Sequence, residues 1–560
     1  MKTKIRRYLK ASLALLLLPI MVFSLAACQS SSPSDSESPS GSSPGTDPSG
    51  SSPGTDPGKS NFAELVVHVG PDPDTIDPAL NSAVDGATLI AHAFEGLYSL
   101  DENGIPVPAQ AESVDISGDG LTYTFKLRSG LKWSDGSPIT AGDFVYAWAR
   151  AVDPDTGADY EYMFESIAGY DKGELEVAAP DDNTIVVKLV ARTPYFLELM
   201  AFPTFFPVKQ NVVEANGDAW ATKVETYIGN GPYKMVEWTP GSHITYAKNE
   251  NYWNVGALGP ERIKFLLMDD DNAILASYMS GGVKFIDTVP NDEIDNLRSR
   301  GDFFLEGQLG TYYISFNCAA DVLDNPQFRK ALTLAVDRDY ITKEIGKAGQ
   351  ENAGGYVSTG VADAAPGSEF RAVGGNYYDP SPAAYEANLA EAKAIIAELY
   401  PDGNVPTLEY LYNTSTAHQL IGEALQQMWK EIGVTVTLQV QEWNTFLNTR
   451  KNGEYQIARN GWLCDYNDPM TMLDMWITGG GNNDAQWSNA EYDSLISQAK
   501  NSSDQAERMR LMHQAEDILF DEWVLCPIYF YVDIYMIDGG IDGFYSSPLG
   551  LKYFMYATPK

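Results

Sequence analysis

Short stretches in which apolar and polar residues alternate recur along the chain after about residue 61. Alternation with a period of two places one set of side chains on one face of an extended strand. The pattern therefore predicts strands in four stretches: LVVHVG (65–70), LTYTFKLR (121–128), NTIVVKLV (183–190) and HITYAKN (243–249).

Other stretches carry the 3.6-residue period of an amphipathic helix. The stretch SPAAYEANLAEAKAIIAELY (381–400) opens with Ser-Pro, a good helix start, and TAHQLIGEALQQMWKEIGV (416–434) is closed by Gly433 and followed by the predicted strand VTVTLQVQEW (434–443). The C-terminal half alternates such elements, whereas the region from about 93 to 207 is richer in strands and turns. These patterns predict a mixed α/β chain with internal domain boundaries. The expected apolar face of the first helix comprises Leu389, Ala392, Ile395, Ile396 and Leu399.

The N-terminus has the pattern of a secretory signal. Five basic residues in the first ten precede ASLALLLLPIMVFSLAA (11–27), which is shorter than the roughly 20 apolar residues that span a membrane. The segment ends in LAAC (25–28), which resembles the lipobox of bacterial lipoproteins. Residues 1–27 are therefore predicted to be a lipoprotein signal peptide and Cys28 the lipidated residue. An uncleaved membrane anchor is the alternative.

Residues 28–60 are predicted to be a disordered Ser/Pro/Gly tether after the lipidated cysteine. The nine residues SGSSPGTDP occur twice in succession, at 40–48 and 49–57. Such a segment cannot bury apolar surface and reaches on the order of 30 Å as a coil. GSSPG matches the Gly-x-Ser-x-Gly hydrolase pattern, but no predicted strand precedes it and no predicted helix follows it.

Length, charge and cysteine content limit the number of domains, the partners and the disulfides that residues 61–560 can have. Residues 61–560 are too many for one hydrophobic core and imply two or three domains. The signal holds five of the 38 basic residues and none of the 76 acidic ones, which leaves a formal net charge of −43. This charge argues against nucleic acid as a partner. Cys318, Cys464 and Cys526 contain no C-x-x-C pair and allow at most one disulfide among them.

Nine ordered blocks are spread over the whole chain after the tether. They are DPDTIDPAL (72–80), FEGLY (94–98), LKWSDGSPITAGDFVYAWARAVDP (131–154), GNGPYKMVEW (229–238), KNENYW (248–253), AVDRDYI (335–341), LYNTSTAH (411–418), QEWNTFLNTRKNGEYQIARNGWLCDYNDP (441–469) and CPIYFYV (526–532). Any one block alone is weak, but as a set they resemble the oligopeptide-binding receptors of ABC importers, family 5 of the extracellular solute-binding proteins.

The resemblance implies a periplasmic-binding-protein-like α/β fold with two lobes joined by a hinge, plus an extra side domain. It further implies a monomer, anchored to the cell membrane by its lipid, that hands peptides to a membrane permease. The implied division is lobe I from 61–94, 207–309 and 533–560, side domain II from 95–206, and lobe III from 310–532.

The stretch GWLCDYNDP (461–469) holds Asp465 and Asp468 among aromatic residues, with no basic residue inside it. An ionised carboxylate near apolar surface needs hydrogen bonds or a cation. Arg450 and Arg459 precede it. A free peptide is a zwitterion, so its ammonium suits a carboxylate and its carboxylate suits a guanidinium. The missing cation is then interpreted as the N-terminus of a peptide ligand.

The resemblance gives these residues roles. It implies that Asp465 holds the peptide ammonium, and that Arg459, Arg450 and His418 engage or steer the C-terminus of successively longer peptides. Backbone groups of Ser82, Ala83 and Val84 and of Gly461 to Cys464 would pair with the ligand main chain. Trp443, Trp462 and Tyr531 would wall its side-chain pockets. At the position of a lysine that enteric members use for longer peptides this chain has Gly346, with Lys347 next to it, which puts anchoring of longer ligands in doubt.

Each of these residues also has a plain structural interpretation. Arg and Asp a few positions apart often form an internal ion pair, a lone histidine at a strand end is often only a surface residue, and the aromatic residues could be core. Cys464 is interpreted as a packed small residue or a disulfide partner.

Other functions fit the sequence less well. Five histidines occur without metal-site spacing, no Walker loop is present, and acidic pairs are too common here to indicate glycoside hydrolysis. No catalysis, metal or cofactor is therefore expected. The alternatives are a receptor of the same fold for dipeptides, signalling peptides, nickel chelates, heme or oligosaccharides, a cell-wall adhesin, or an extracellular hydrolase.

Overall fold

Strands and helices alternate along residues 61–560, the part of the chain that the computed structural model describes. The predicted mixed α/β class is confirmed. The strands are β1 (Leu65–His68), β2 (Tyr98–Leu100), β3 (Pro106–Pro108), β4 (Ala111–Ile116), β5 (Thr122–Leu127), β6 (Val177–Asp181), β7 (Thr184–Lys188), β8 (Tyr233–Thr239), β9 (His243–Lys248), β10 (Arg262–Leu266), β11 (Phe285–Ile286), β12 (Phe303–Phe316), β13 (Glu351–Asn352), β14 (Leu408–Asn413), β15 (Val436–Gln441), β16 (Ile457–Leu463), β17 (Leu525–Ile537), β18 (Ile541–Asp542), β19 (Tyr545–Ser546), β20 (Lys552–Tyr553) and β21 (Thr558–Pro559). The α-helices are α1 (Val84–Ala93), α2 (Ala141–Ala151), α3 (Phe196–Leu199), α4 (Gln210–Asn216), α5 (Asp271–Met279), α6 (Ile294–Leu297), α7 (Pro326–Leu334), α8 (Arg338–Tyr340), α9 (Phe370–Gly374), α10 (Tyr385–Leu399), α11 (Thr416–Glu431), α12 (Trp443–Lys451), α13 (Met470–Leu473), α14 (Ala490–Lys500) and α15 (Gln505–Asp521).

The predicted elements form, with shifted ends. The four alternating stretches become β1, β5, β7 and β9, and the strand expected after Gly433 becomes β15. Helix α10 begins at Tyr385 rather than at Ser381, because residues 382–384 form a turn first. Its face is buried as the spacing requires, with Leu389 and Ile396 in the core.

Local interactions define both ends of helix α11 and its buried face. The Ser415 side chain accepts a hydrogen bond from the His418 backbone N–H and caps the first turn. One face, which includes Leu425 and Trp429, is buried. Gly433 follows the helix with a φ of 85°, a left-handed conformation that favours glycine, and turns the chain into β15.

A large mixed sheet runs through the molecule in the order β15-β14-β16-β12-β17-β11-β1-β10-β9-β8, and β13 pairs with β17 at the side. We call β14, β15 and β16 the β16 half, and β1 with β8 to β11 the β1 half. Strands β12 and β17 are long and antiparallel, and they lie between the two halves: β12 pairs with β16, and β17 pairs with β11. The two halves are therefore joined by a two-stranded ribbon.

The pairing within the ribbon is irregular at two points, between Gly307 and Thr311 and between Tyr312 and Tyr313, and the first is the larger interruption. Gly307 pairs with Val532 and Thr311 pairs with Phe530, so residues 308–310 lie opposite the single residue Tyr531. A bulge of this kind bends a strand pair locally. The interruption coincides with the sequence positions at which the lobe boundaries are predicted, 309/310 and 532/533. The division into lobes itself stays a prediction.

A separate four-stranded antiparallel sheet, β4-β5-β7-β6, lies within residues 95–206. Helix α2 packs there, begun by a capping box between Thr140 and Asp143 and burying Phe144 and Trp148. No helix among residues 61–560 is both long enough and apolar enough to cross a bilayer.

Candidate functional site

A cavity of about 490 Å³ is lined by residues from both halves of the large sheet and from residues 160–202. All twelve residues expected to contact a ligand line it, although they come from four separate parts of the chain. They are Ser82, Ala83, Val84, His418, Trp443, Arg450, Arg459, Gly461, Trp462, Cys464, Asp465 and Tyr531. Their binding roles stay predictions; their convergence is a property of the fold.

Asp465 follows β16 and is partly buried. Its carboxylate accepts hydrogen bonds from the Tyr160 hydroxyl at 3.2 Å and from the Thr471 hydroxyl at 3.0 Å. Both donors are neutral, and the carboxylate forms no ion pair with any residue from 61 to 560. Burial raises the pKa of Asp465 well above its usual range, since nothing cationic compensates the charge.

Asp468, the other carboxylate of the same stretch, is satisfied within the protein. Arg508 of α15 donates to its two oxygens at 2.6 and 2.8 Å, and both side chains are buried. Of the two carboxylates that raised the question of a missing cation, therefore, only Asp465 lacks one.

Arg459 lies on β16, and its residue is 8 % exposed. Its Nε donates to the Asn413 side-chain oxygen at 2.6 Å, and its guanidinium lies 5.3 Å from the centre of the Trp443 ring. Within residues 61–560 no carboxylate pairs with it. Arg459 on β16 and Asp465 just after it therefore present an uncompensated guanidinium and an uncompensated carboxyl to the same cavity. Six residues of extended chain span roughly 20 Å.

Arg450 and His418 differ from Arg459 in their surroundings. Arg450 donates to Asp484 at 2.6 Å in an internal ion pair, so its charge is already balanced. His418 lies in the first turn of α11, within the stretch 416–434 that the sequence predicts to be helical, and its Nδ1 is 3.2 Å from the Tyr312 hydroxyl. Burial, and then the nearby Arg459, lower the pKa of His418 well below its usual range. A neutral imidazole therefore lines the cavity.

Strand β16 has one edge that is largely free. It pairs with β12 along its whole length, but with β14 only at Ile457 and Ala458. From Arg459 onward its second edge has no strand neighbour in the described part of the chain. An extended ligand can pair with such an edge through main-chain hydrogen bonds.

The fold constrains the backbone groups expected to meet a ligand. The Cys464 N–H already donates to the Leu309 carbonyl, so it is not available to a ligand. Gly461 is required by packing, because a Cβ there would lie 2.0 Å from the Tyr531 hydroxyl oxygen. Tyr531 itself lies at the interruption of the ribbon.

The residues that hold the charged side chains of the site were not anticipated. Tyr160 and Thr471 hold Asp465, Asn413 holds Arg459, and Asp484 neutralises Arg450. Tyr160 precedes Asp465 by 305 positions. No short-range pattern links such residues, so only the fold reveals the pairing.

The cysteines form no disulfide in the described chain. Cys318, Cys464 and Cys526 are all free, and Cys464 is buried beside the cavity, as a packed small residue. Across residues 61–560 no three His, Cys, Asp or Glu side chains come together in a way that could hold a metal ion.

Glu198, in the wall of the cavity, makes the stability of the folded protein depend on pH. Its carboxylate accepts from the Asn467 N–H at 3.0 Å, and burial raises its pKa to about 7. A carboxyl whose pKa is higher in the folded state binds an extra proton there. Its stabilising contribution is complete below the unfolded pKa and is lost as the pH rises through the folded pKa.

The wild-type protein should therefore lose stability as the pH rises from about 4.5 to 7.5. Glu198→Gln is expected to remove on the order of 1–3 kcal/mol of that loss. Thermal unfolding of wild type and variant across this range measures the difference. Glu398→Gln, at an exposed position of α10, is the matched control. Parallel pH profiles for wild type and Glu198→Gln would contradict the assignment.

Comparison with known families identifies the class of protein that this fold and cavity define. The model of the bacterial extracellular solute-binding proteins, family 5 (middle region), matches residues 106–484. The match covers more than half of the chain, and the chain belongs to this family. The family comprises solute-binding proteins, not enzymes.

Two curated relatives from Bacillus subtilis are similar over most of their length. The oligopeptide-binding protein OppA is 34 % identical over 509 residues, which cover 88 % of this chain and 92 % of OppA. The dipeptide-binding protein DppE is 34 % identical over 500 residues, which cover 87 % of this chain and 90 % of DppE.

Solved structures share the fold. Haemophilus influenzae OppA in complex with RPPGFSPFR matches with a TM-score of 0.84 and 30 % identity, covering 90 % of this chain and all of that one. The Escherichia coli murein tripeptide binding protein MppA matches with a TM-score of 0.83, at 30 % identity, over 90 % of this chain and 99 % of MppA. The unliganded open form of MppA gives only 0.60, at 30 % identity, over 90 % of this chain and 98 % of that one. The present conformation is therefore closer to the first MppA structure than to the open one.

Proposed function

We propose that this protein captures short free peptides in the cavity and delivers them to an ABC permease for uptake. The observation that carries the proposal is the pair Asp465 and Arg459, two charged groups without ionic partners on the wall of one cavity. A zwitterionic ligand supplies both missing partners at once. A solute without charged ends would leave both groups uncompensated, which costs affinity.

The contacts suggest how such a ligand would lie. The peptide ammonium would lie against the Asp465 carboxylate, which the Tyr160 and Thr471 hydroxyls hold in place. The free edge of β16 would pair with the peptide main chain, which carries little sequence information. The peptide carboxylate would meet Arg459, which Asn413 orients. Because Arg450 is already paired with Asp484, anchoring of longer peptides depends on breaking that pair.

Direct identification of the cargo tests the proposal. The protein should be purified from its native host without refolding, then denatured, and the released small molecules analysed by mass spectrometry. We expect peptides of a few residues with free N-termini. Calorimetry with trialanine and tetra-alanine then measures binding. Release of a sugar or a metal chelate, with no binding of either peptide, would refute the proposal.

We further propose that the lobes predicted from the sequence close around the ligand by bending at the interrupted ribbon. Several contacts join residues 159–165 to residues 451–500, including Lys451 with Asp159 and Lys500 with Glu165. Because both sides would touch the ligand, binding would favour the closed state.

Peptide binding is accordingly expected to reduce the radius of gyration measured by small-angle scattering. Lys451→Met, which removes one of the joining contacts, should leave the liganded radius unchanged but increase the radius without peptide. An equal radius with and without saturating peptide, in both proteins, would contradict closure.

Membrane anchorage is proposed from the sequence, since Cys28 and the tether lie outside the described residues. We expect labelled palmitate to enter the wild-type protein through Cys28, and Cys28→Ala to release the protein from the membrane or mislocalise it, because one lipid attachment point is lost. Fractionation with radiolabelling measures both, and Cys318→Ala is the control. Equal labelling and membrane retention in Cys28→Ala would exclude a lipoprotein.

A further inference from the structure

Direct contacts outside the cavity join residues 159–165 to residues 474–500, and we call them the seam. Lys500, the last residue of α14, lies between two carboxylates, with Nζ 2.8 Å from Glu165 and 3.3 Å from Asp474. Its side chain is 8 % exposed. None of these three residues lines the cavity. The Lys500 ammonium is therefore shared between a carboxylate on its own side of the seam and one on the opposite side.

The seam is closely packed as well as charged. The Tyr162 ring, which is buried, has its centre 5.4 Å from the Lys500 Nζ, and its hydroxyl accepts a hydrogen bond from the Asn482 side chain at 3.2 Å. A Cβ at Gly481 would lie 2.7 Å from the Asp159 Cα, closer than real Cβ atoms come to backbone. The two chain segments therefore touch at a point where only a glycine fits.

The cation of the seam is held in place from one side. Asp474 and Lys500 both belong to the predicted lobe III, 310–532, whereas Glu165 belongs to the predicted side domain, 95–206. Asp474 is 3 % exposed, and burial raises its pKa to about 7, although Lys500 lowers it. Lys500 compensates this buried carboxyl within its own lobe, so it would stay in position when Glu165 moves away. A partner already in position costs less conformational entropy to pair with.

We propose that the seam is a latch, which stabilises the closed arrangement without help from a ligand and so sets how fast a bound peptide leaves. This inference rests on the proposed function, closure included. Because the seam residues lie outside the cavity, their contacts favour closing equally whether the cavity is full or empty. The empty protein then spends part of its time closed, and the filled protein breaks the seam before it releases its peptide.

Two variants of different chemistry weaken the latch without changing the cavity. Glu165→Gln removes the charge that crosses the seam and leaves Lys500 paired with Asp474. Gly481→Ala places a methyl group against the Asp159 backbone. The three heavy atoms nearest to this methyl position all belong to Asp159, and Gly481 is otherwise exposed, so the substitution acts on the seam and not on the fold of its own segment.

Each variant has a matched control. Glu161→Gln removes a half-buried carboxylate from the same turn, but Glu161 accepts its hydrogen bond from the Tyr170 hydroxyl and not from the other side of the seam. Gly539→Ala adds a methyl group at an exposed glycine, where nothing lies within 4 Å of the new atom. Both controls should behave as the wild type does.

Scattering and kinetics of the full-length protein test the latch. Without peptide, Glu165→Gln and Gly481→Ala should each have a larger radius of gyration than the wild type. Stopped-flow tryptophan fluorescence with tetra-alanine gives both rate constants of binding, since Trp443 and Trp462 line the cavity. We expect both variants to release tetra-alanine at least about fivefold faster than the wild type, with an association rate constant changed less than about twofold.

The two measurements have separate consequences. Wild-type radii in both variants without peptide would overturn the latch, whatever the rates of binding. A wild-type dissociation rate constant in variants that bind tetra-alanine would overturn it as well. If tetra-alanine binds to none of the proteins, wild type included, the proposed function fails, and the radii without peptide still decide whether the seam holds the protein closed.

Discussion

Acetylating the N-terminus of a bound peptide is expected to weaken its binding by about thirty- to several-thousand-fold. The expected contact is a charge-assisted hydrogen bond to the partly buried carboxylate of Asp465. Removing one partner leaves the other charge buried, which typically costs about 2–5 kcal/mol. Asp465→Asn should weaken binding of the free peptide by a similar factor.

Combining the acetylated peptide with Asp465→Asn tests whether both changes remove the same contact or each disturbs binding in its own way. Acetylated peptide and Asp465→Asn combined should cost clearly less than the sum of the two losses, because both remove the same interaction. Amidating the C-terminus should cost less, since Arg459 and His418 share that end and only one of them is charged. Calorimetry with a tri- or tetrapeptide measures all combinations. Equal affinity for acetylated and free peptide would show that Asp465 does not hold the ammonium.

Arg508→Met is expected to destabilise the protein by about 3–5 kcal/mol. The substitution leaves the Asp468 carboxylate buried without its cation, and breaking one side of a buried ion pair costs about this much. Asp468 also accepts a hydrogen bond from the Met470 N–H at 3.0 Å, which fixes the chain after the Asp465 stretch. Thermal unfolding without peptide measures the loss.

The same helix supplies the control. Arg510 lies two residues further along α15, is paired with Glu507 and is exposed at the surface. Arg510→Met should therefore cost less than about 1 kcal/mol. The double variant Arg508→Met with Asp468→Asn should regain part of the stability, because an amide tolerates burial better than an unpaired carboxylate. Similar losses for Arg508→Met and Arg510→Met would rule out a buried structural role for the Arg508 pair.

The secondary structure followed closely from local patterns. Strands β1, β5, β7 and β9 alternate apolar and polar residues, and α11 carries its own cap at Ser415 and its stop at Gly433, so short-range interactions specify them. The start of α10 was misplaced because Ser381 and Pro382 favour a turn as well as a helix start. Local preference alone does not decide between the two.

The sequence by itself determined the α/β class and the family, because periodicity carries the first and blocks of adjacent residues carry the second. The convergence of the twelve expected residues on one cavity is a property of the fold. The sequence could not decide which charges are already paired. Asp465 and Asp468 lie three positions apart and look equivalent, yet Arg508 neutralises one and nothing in residues 61–560 neutralises the other. The two arginines differ in the same way, because Arg450 forms an ion pair with Asp484 and Arg459 does not. Whether a charged group is a structural partner or free to meet a ligand depends on residues tens to hundreds of positions away. The tertiary structure decides it, because electrostatic pairing acts through distance in space and not along the chain.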